Sequence, residues 1–362
     1  MIDHDATQAQ ALAVRLFTAG LGAAELFAAY LGMRLGLYEH LRTRGPATAA
    51  DLAREAGIAP RYAREWLEQQ AVSGILEVDD TSKPADARLY LLPAGHAEAL
   101  IDGESLFCVA PMALLPVGGI ARVLPQLIEA YRTGGGIPYE AYGEDFCVGQ
   151  AMLNRAVFQV HLPACLQQTM PDVHAALTAG AIRVADVGCG GGWSSIALAR
   201  AYPRIHVDGF DAHPGSIAEA RRQADAARVA DRVTFEVRDA RTPGDSGHYG
   251  LVCIFDALHD MSQPVDVLQA CHARLQADGS VLLMEPKAAD TFTAPADEVE
   301  RFFYAVSLLH CLPVGSSETP SAQTGTVMRP DTMRAYAAAA GFAETRILPY
   351  EHRFHRFYRL VK

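Results

Sequence analysis

The sequence predicts an α/β protein in which a doubly wound sheet follows a mostly helical domain. From about residue 180 onward, short apolar strand candidates alternate with helical stretches, which is typical of a parallel sheet covered by helices. Before that region, two short helices and a hairpin form a winged-helix pattern. The length of 362 residues agrees with two domains, at about 100–200 residues per domain.

The N-terminal elements follow from local patterns. Residues 8–45 are rich in alanine and leucine at mixed three- and four-residue steps, which predicts one or two well-buried helices. Residues 48–57 and 61–75 predict two further helices, and residues 75–78 and 88–91 predict a hairpin. We therefore expect a winged-helix domain over residues 1–105, followed by a helical connector over 106–175.

The charge of this first domain argues against DNA binding. Residues 1–105 contain 9 basic and 15 acidic side chains, a net charge of −6, and the whole chain carries −11. A helix that reads DNA needs a basic face because the phosphates are negative. Dimerisation and closure over a substrate are therefore the expected roles of the domain. A winged-helix transcriptional regulator is a lesser alternative.

Composition also bears on location and on the redox setting. The seven cysteines are scattered without a C-x-x-C pair, so a disulfide scaffold or a cysteine-only zinc site is not expected. The start of the chain is polar and acidic, unlike a signal peptide. The longest uncharged run, residues 105–121, is interrupted by prolines and glycines. We therefore predict a cytoplasmic protein without a membrane span.

The third part of the chain, residues 176–362, contains the α/β pattern. Its strand candidates are residues 183–187, 206–210, 233–237, 251–255 and 280–285. The helical stretches between them are residues 193–201, 216–227 and 264–275. Residues 344–348 and 353–361 predict a last hairpin, because the second of these segments alternates in the manner of a strand.

A glycine-rich turn follows the first of these strands, in the run V-A-D-V-G-C-G-G-G-W-S-S at residues 184–195. It resembles motif I of the class I S-adenosylmethionine-dependent methyltransferases, in which the turn faces the methionine part of the cofactor. The resemblance implies a Rossmann-like sheet and cofactor contacts from Asp186, Gly188 and Gly190.

Positions on the next strands support the same resemblance. Asp211 ends the second strand, where an acid would accept hydrogen bonds from the ribose hydroxyls. Asp239 and Ala240 follow the third strand at the expected adenine edge. Phe255 ends the fourth strand and leads into the region of the reaction.

His259 and Asp260 follow the fourth strand, where methyl transfer needs a group that accepts or masks a proton. The small-molecule O-methyltransferases of plants and fungi share the winged-helix domain and carry a His-Asp-Trp motif here. This chain has Met261 in place of the tryptophan. That resemblance implies His259 as a general base, without a metal.

A second resemblance includes His310, which ends an aromatic helical stretch. The glycine loop 134–136 followed by Pro138 and Tyr139, the run from Phe255 to Asp260, and His310-Cys311 together resemble the metal-dependent α-keto acid C-methyltransferases. These enzymes methylate the β-carbon of 2-oxo acids in specialised amino-acid and peptide-antibiotic pathways. The resemblance covers nearly the whole chain.

This second resemblance implies a site for Zn or Fe formed by His259, Asp260 and His310, which together are a facial triad. The metal would acidify the β-carbon of the 2-oxo acid, whose side chain could be that of 2-ketoarginine, phenylpyruvate or a branched-chain 2-oxo acid. Arg132 is our candidate for the substrate carboxylate. Tyr139 is a catalytic candidate, although the base is open among Tyr139, His161 and a metal-bound hydroxide.

The expected function is therefore S-adenosylmethionine-dependent C-methylation of a 2-oxo acid by a homodimer joined through its N-terminal domain. The connector 106–175 would serve as a substrate lid, and residues 176–362 would bind the cofactor and carry the catalytic groups. The alternative is a metal-independent O-methyltransferase with His259 as the base. Glu300 could face a cationic substrate, and Glu285 is expected to cap the sheet edge or form an ion pair.

Overall fold

The computed structural model describes residues 4–242 and 248–362, with side chains from residue 7 onward. The chain divides into two units, Met1–Ala121 and Arg122–Lys362. The predicted connector 106–175 is shared between these units. The predicted domain limits at residues 105 and 175 stay predictions.

The first unit contains the winged-helix elements at the predicted places. Its elements are α1 His4–Arg34, α2 Leu37–Arg44, α3 Ala49–Ala56, α4 Pro60–Val72, β1 Glu77–Val78, β2 Tyr90–Leu91, α5 Ala94–Ile101, α6 Pro111–Ala113 and a π-helical turn Leu114–Ile120. Helix α3 begins at Thr48, whose hydroxyl accepts the Asp51 N–H at 3.2 Å, and it ends at Gly57 with φ of 67°. The strands β1 and β2 pair antiparallel.

Helix α1 differs from its prediction because most of it is exposed within the chain. Large apolar side chains of α1 and the residue after it are open to solvent: Leu12, Val14, Leu16, Phe17, Leu21, Phe27, Leu31 and Leu35. Periodicity identifies apolar side chains but does not say what covers them. The prediction of buried helices is correct for α2, whose Leu37, Tyr38 and Leu41 are buried.

Two helical stretches, Thr7–Arg34 and Pro111–Thr133, are long and apolar enough to cross a membrane by length and composition alone. Core helices of water-soluble proteins pass the same test. The predicted absence of a membrane span and the cytoplasmic location therefore stay predictions.

The second unit consists of a helical segment followed by the α/β domain. The helical segment contains most of α7 Ala121–Thr133, a 3₁₀ turn Tyr139–Tyr142, α8 Glu144–Leu153, a π turn Val157–His161, α9 Leu162–Thr169 and α10 Pro171–Ala179. The α/β domain contains β3 Val184–Val187, α11 Trp193–Ala201, β4 Val207–Asp211, α12 Pro214–Ala226, β5 Val233–Val237, β6 Tyr249–Phe255, a 3₁₀ turn Leu258–Asp260, α13 Pro264–Arg274, β7 Leu275–Pro286, α14 Glu298–Val306, a π turn Ser307–Cys311, α15 Leu312–Gly315, α16 Pro330–Ala339, β8 Glu344–Ile347 and β9 His355–Val361.

The strands of this unit form one seven-stranded sheet in the order β5-β4-β3-β6-β7-β9-β8. Five strands are parallel, and β9 pairs antiparallel with both β7 and β8. The chain order reverses between β3 and β6, and such a switch point opens a crevice at the carboxyl ends of the strands. The predicted α/β fold class is confirmed, and so is the last hairpin.

Candidate active site

The glycine turn connects β3 to helix α11. Gly188 and Gly192 have φ angles of 71° and 79°, where a side chain is strained. A Cβ on Gly192 would also lie 2.6 Å from Cζ of Phe235 and 2.8 Å from Cβ of Ala220. The turn therefore exposes bare backbone at the beginning of a helix, where a ligand can approach closely.

Two acids that are largely shielded from solvent flank this turn. Asp211, the last residue of β4, accepts the Gly190 N–H at 2.9 Å and the His213 N–H at 2.8 Å, and burial raises its pKa. Asp186 accepts two serine hydroxyls of α11 at 2.6 Å each, yet burial raises its pKa to about 6. Its Oδ1 has no hydrogen-bond partner among the described residues. Both predicted acids therefore lie beside the glycine turn.

Asp239 and Ala240 follow β5, as predicted. The Asp239 carboxylate pairs with Arg241, with 2.6 Å between Oδ2 and Nη2, and Ala240 packs against the apolar core. Neither residue lines the cavity described next. Their predicted place at the adenine edge stays a prediction.

An open cavity lies against the glycine turn, and its volume of about 510 Å³ includes space that is open to solvent. Gly188 and Gly190 line it from the turn, Phe255 lines it from the end of β6, and Tyr139 lines it from the helical segment. Further lining residues are Cys147, Gln150, Ala151, Asn154, Phe158, Cys189, Gly191, Trp193, Ser194, Ser216 and Asp256. The structure thus brings four of the predicted site residues to one cavity.

His259 and Asp260 lie in the 3₁₀ turn directly after β6. The His259 ring is buried, with Nδ1 at 2.5 Å from Oε2 of Glu285 and Nε2 at 3.3 Å from Oδ1 of Asp260. Glu285 is itself fully buried in β7, and its Oε1 accepts the Leu258 N–H at 3.0 Å. The imidazole is therefore held between two carboxylates, one of them fixed by the sheet.

These carboxylates determine the protonation of His259. Burial alone would lower the pKa of His259, but the negative charges of Asp260 and Glu285 raise it well above its usual value. Burial raises the pKa of Glu285, although His259 opposes that shift. The site therefore stabilises positive charge at the imidazole ring. That charge is either a second ring proton or a metal cation bound where the proton would be.

His310 approaches the same place from the π turn Ser307–Cys311. Its Nδ1 lies 3.9 Å from Oδ2 of Asp260 and 3.4 Å from Sγ of Cys311. Among the described residues, Nε2 of His310 and Oδ1 of Asp260 are buried without a hydrogen-bond partner. Burial lowers the pKa of His310, so the ring is neutral near pH 7. Buried polar atoms of this kind need a water or an ion to satisfy them.

The donor set around Asp260 fits a transition metal. One potential ligand atom each from His259, Asp260 and Cys311 lies within 4.8 Å of the other two. Burial raises the pKa of Cys311 to about 12, so it is a thiol, whereas His310 is a neutral imidazole. Imidazole and carboxylate ligands suit Zn and Fe. The ligand set His259, Asp260 and His310 stays a prediction, with Cys311 as an alternative third ligand.

Three aromatic rings surround His310. Its ring centroid is 4.4 Å from that of Phe146, 4.8 Å from that of Tyr142 and 5.9 Å from that of Tyr139. Burial raises the pKa of Tyr139 well above its usual value, so the phenol keeps its proton near neutral pH. Tyr139 therefore lies between the cavity wall and His310 as a neutral phenol.

Two family models match this chain. Residues 184–279 match a methyltransferase domain, and residues 23–101 match the Rv2258c-like winged HTH domain. A curated relative, the ubiquinone biosynthesis O-methyltransferase of Marinobacter nauticus, is 32% identical over 103 residues. The match spans 28% of this chain and 42% of the relative's length.

Solved structures of similar fold cover nearly the whole chain. The mitomycin 7-O-methyltransferase is 22% identical with a TM-score of 0.65, and the alignment covers 98% of this chain and 99% of that one. Human N-acetylserotonin methyltransferase, solved with S-adenosylmethionine, is 16% identical with a TM-score of 0.70 and 97% of both chains covered. The chain has a class I S-adenosylmethionine-dependent methyltransferase fold with an N-terminal winged HTH domain.

Within this methyltransferase fold, Arg132 is not brought to the site. It lies at the end of α7 with a side chain that is 72% exposed, and its Nη1 is 3.7 Å from Oε2 of Glu129. Glu300 is also unsuited to its suggested role, because it is buried and bound to Arg329 at 3.0 Å. The proposed contacts of these two residues with substrate therefore have no support in the geometry.

Three residues contribute to the methyltransferase site in ways that sequence reasoning missed. Glu285 forms an ion pair, which was one of the two roles expected of it, and its partner is the buried ring of His259. Asp256 has a φ of 52° and accepts the Asn154 side-chain amide at 2.6 Å, and both residues line the cavity. Only the place of Asp256, directly after an apolar strand, signalled a functional position.

Proposed function

We propose that this chain transfers the methyl group of S-adenosylmethionine to a small molecule. The observation that carries the proposal is a cavity that joins the glycine turn to Phe255, Asp256 and Tyr139, with the ring of His310 5.9 Å from the ring of Tyr139. A cofactor at a glycine turn would thus lie next to groups that handle protons.

In this proposal, backbone and carboxylates hold the cofactor. Gly188, Gly190 and Asp186 would face its methionine part, and Asp211 would accept hydrogen bonds from the ribose. Asp239 and Ala240 would border the adenine. S-adenosylmethionine supplies a methyl group activated by its sulfonium. The chain's own contribution is to hold the acceptor in line with that methyl and to keep water out.

As the acceptor, we propose the β-carbon of a 2-oxo acid, in specialised amino-acid or peptide-antibiotic biosynthesis, with Zn or Fe held by His259, Asp260 and His310. Support comes from Oδ1 of Asp260 and Nε2 of His310, which are buried without a hydrogen-bond partner among the described residues. Glu285 adds support because its carboxylate contacts Nδ1 of His259 and can orient that ring for metal binding through Nε2. A metal there supplies Lewis acidity that lowers the pKa of a C–H bond beside a ketone.

A specific observation also favours O-methylation. The relatives include a ubiquinone and a mitomycin O-methyltransferase, and His259 with Glu285 forms a buried dyad. In that reading, His259 must first lose the second proton that its two carboxylates favour. Nε2 of the neutral ring then accepts the proton of a substrate hydroxyl, and Glu285 stabilises the imidazolium that results. The hydroxyl oxygen then attacks the methyl carbon while the bond from that carbon to the sulfonium sulfur breaks, and S-adenosylhomocysteine leaves.

One experiment distinguishes these acceptors. The purified protein is assayed with methyl-labelled S-adenosylmethionine against 2-oxo acids and against phenols, and mass spectrometry locates the label. C-methylation requires label on the β-carbon, measurable bound Zn or Fe, and loss of at least about 100-fold activity with a chelator and in His310→Ala. His248→Ala, at an exposed histidine, is the control. Chelator-insensitive labelling of a hydroxyl would instead support O-methylation.

We also propose a homodimer formed through the N-terminal domain. Its support is the exposed apolar row of α1 together with the acidic charge, which disfavours DNA as the partner. Light scattering after gel filtration tests it, and a protein that stays monomeric at micromolar concentration would contradict it.

A further inference from the structure

The turn that carries His310 is irregular for a reason visible in the chain. In an α-helix, each carbonyl accepts the N–H four residues later. For Leu309 that residue is Pro313, which has no N–H. The Leu312 N–H donates to the carbonyl of Ser307, five residues back, rather than to that of Leu308. The carbonyls of Leu308 and Leu309 therefore both lack their usual helical donors.

Two tyrosine hydroxyls from one segment replace these donors. Tyr131 donates to the Leu308 carbonyl at 3.2 Å, and Tyr142 donates to the Leu309 carbonyl at 2.9 Å. We call residues 131–142 the clamp. Between its two tyrosines, the clamp also donates the Ile137 N–H to the Pro313 carbonyl at 2.9 Å. Two hydrogen bonds thus join the clamp to the turn, and a third joins it to α15 directly after the turn.

The glycine loop makes this approach possible. Gly136 packs against the backbone of Ser316 and Ser317 so closely that a Cβ would collide with it. The loop therefore brings the clamp against the segment that follows His310, which explains a glycine at this place.

The two tyrosines differ in what surrounds them. Tyr142 is fully buried, and its ring meets the ring of His310 edge-on at 4.8 Å. Tyr131 is 64% exposed, so water can replace its hydroxyl. Loss of the Tyr142 hydroxyl would leave a buried carbonyl without a donor, which is the costlier case.

We propose that Tyr142 is a positioning residue that sets His310 relative to Asp260 by holding the irregular turn. Tyr131 has a weaker role of the same kind. The expected effect of Tyr142 on metal binding rests on the proposed function, because it requires that His310 is a metal ligand. The expected effect of Tyr142 on the structure of the turn does not require a metal.

The metal arm uses Co²⁺ added to metal-depleted full-length protein, because its visible spectrum reports both affinity and coordination. We expect Tyr142→Phe to bind Co²⁺ about tenfold more weakly, with altered visible bands, because it loses a group that orients a ligand. Tyr131→Phe should stay within about twofold of wild type. Tyr90→Phe is the matched control, since it removes a buried hydroxyl that has no hydrogen-bond partner among the described residues.

The metal-free arm measures amide hydrogen exchange of residues 307–315 by mass spectrometry, with circular dichroism as the check on folding. Tyr142→Phe should exchange severalfold faster there, and Tyr90→Phe should match wild type. Unchanged exchange in Tyr142→Phe would overturn the proposal. Faster exchange in Tyr142→Phe, together with a wild-type protein that binds no Co²⁺, would keep the proposal for the turn and refute the metal site.

Discussion

Replacing Glu285 by glutamine tests whether the buried dyad controls His259. The amide oxygen of the introduced glutamine can still accept the Leu258 N–H, which lies 3.0 Å from Oε1 of the glutamate. The amide nitrogen then faces Nδ1 of His259, where the carboxylate oxygen was at 2.5 Å. A donor at that place requires an unprotonated Nδ1, so the ring proton moves to Nε2.

The expected loss follows from these contacts. A hydrogen bond to a charged group is worth about 1.5–3 kcal/mol. At about 1.4 kcal/mol for each factor of ten, the rate of methyl transfer should fall about 10- to 150-fold. Removal of the negative charge should also lower the pKa of His259, because that charge is one of the two that raise it.

The assay is kcat/KM for methyl transfer, read together with the imidazole ¹⁵N shifts of His259. Glu351→Gln is the control, because that glutamate is 95% exposed and pairs only at the surface with Lys287. Activity of E285Q within about twofold of wild type, with the proton still on Nδ1, would refute this reasoning.

Three further predictions concern other parts of the chain. Burial raises the pKa of Asp186 to about 6, so ionisation of this carboxyl lowers the free energy of unfolding by about 3 kcal/mol as the pH rises from about 4 to 7. Asp186→Asn should remove that decline, measured by urea unfolding at several pH values. An unchanged pH profile in the variant would contradict the prediction. Gly192→Ala should lower stability by about 1–3 kcal/mol and abolish cofactor binding by calorimetry, whereas Gly95→Ala, in open space on α5, should not destabilise. Phe17→Glu should give monomers by light scattering, unlike Val72→Glu at an equally open apolar position outside α1; a dimeric Phe17→Glu protein would argue against α1 as the interface.

The cofactor half of the site was predictable because its signals are local. Gly188 follows an apolar strand and precedes a helix, and Asp211 ends the next strand, so chain order alone places both at the carboxyl edge of a parallel sheet. The dyad was not predictable in this way. Glu285 lies 26 residues after His259. The two side chains meet because β6 and β7 are neighbouring strands and because their pairing register brings the end of β6 beside Glu285. Local sequence patterns determine neither the strand order nor the register.

Arg132 shows what sequence spacing leaves open. Its place before the glycine loop suggested a substrate contact, but sequence spacing does not fix the direction in which a helix-end side chain points. The structure turns it towards solvent. The irregular turn at His310 lies between these cases, because Pro313 predicts a lost hydrogen bond without predicting that Tyr142 replaces it.

The exposed row on α1 has a consequence for how stability must be measured. A helix of 31 residues with most of its apolar side chains in water gains little from burial inside its own chain, and isolated helices are only marginally stable. If a second copy covers it, folding and association become one equilibrium. The melting temperature would then rise with protein concentration, and dilution for an assay would weaken the fold itself.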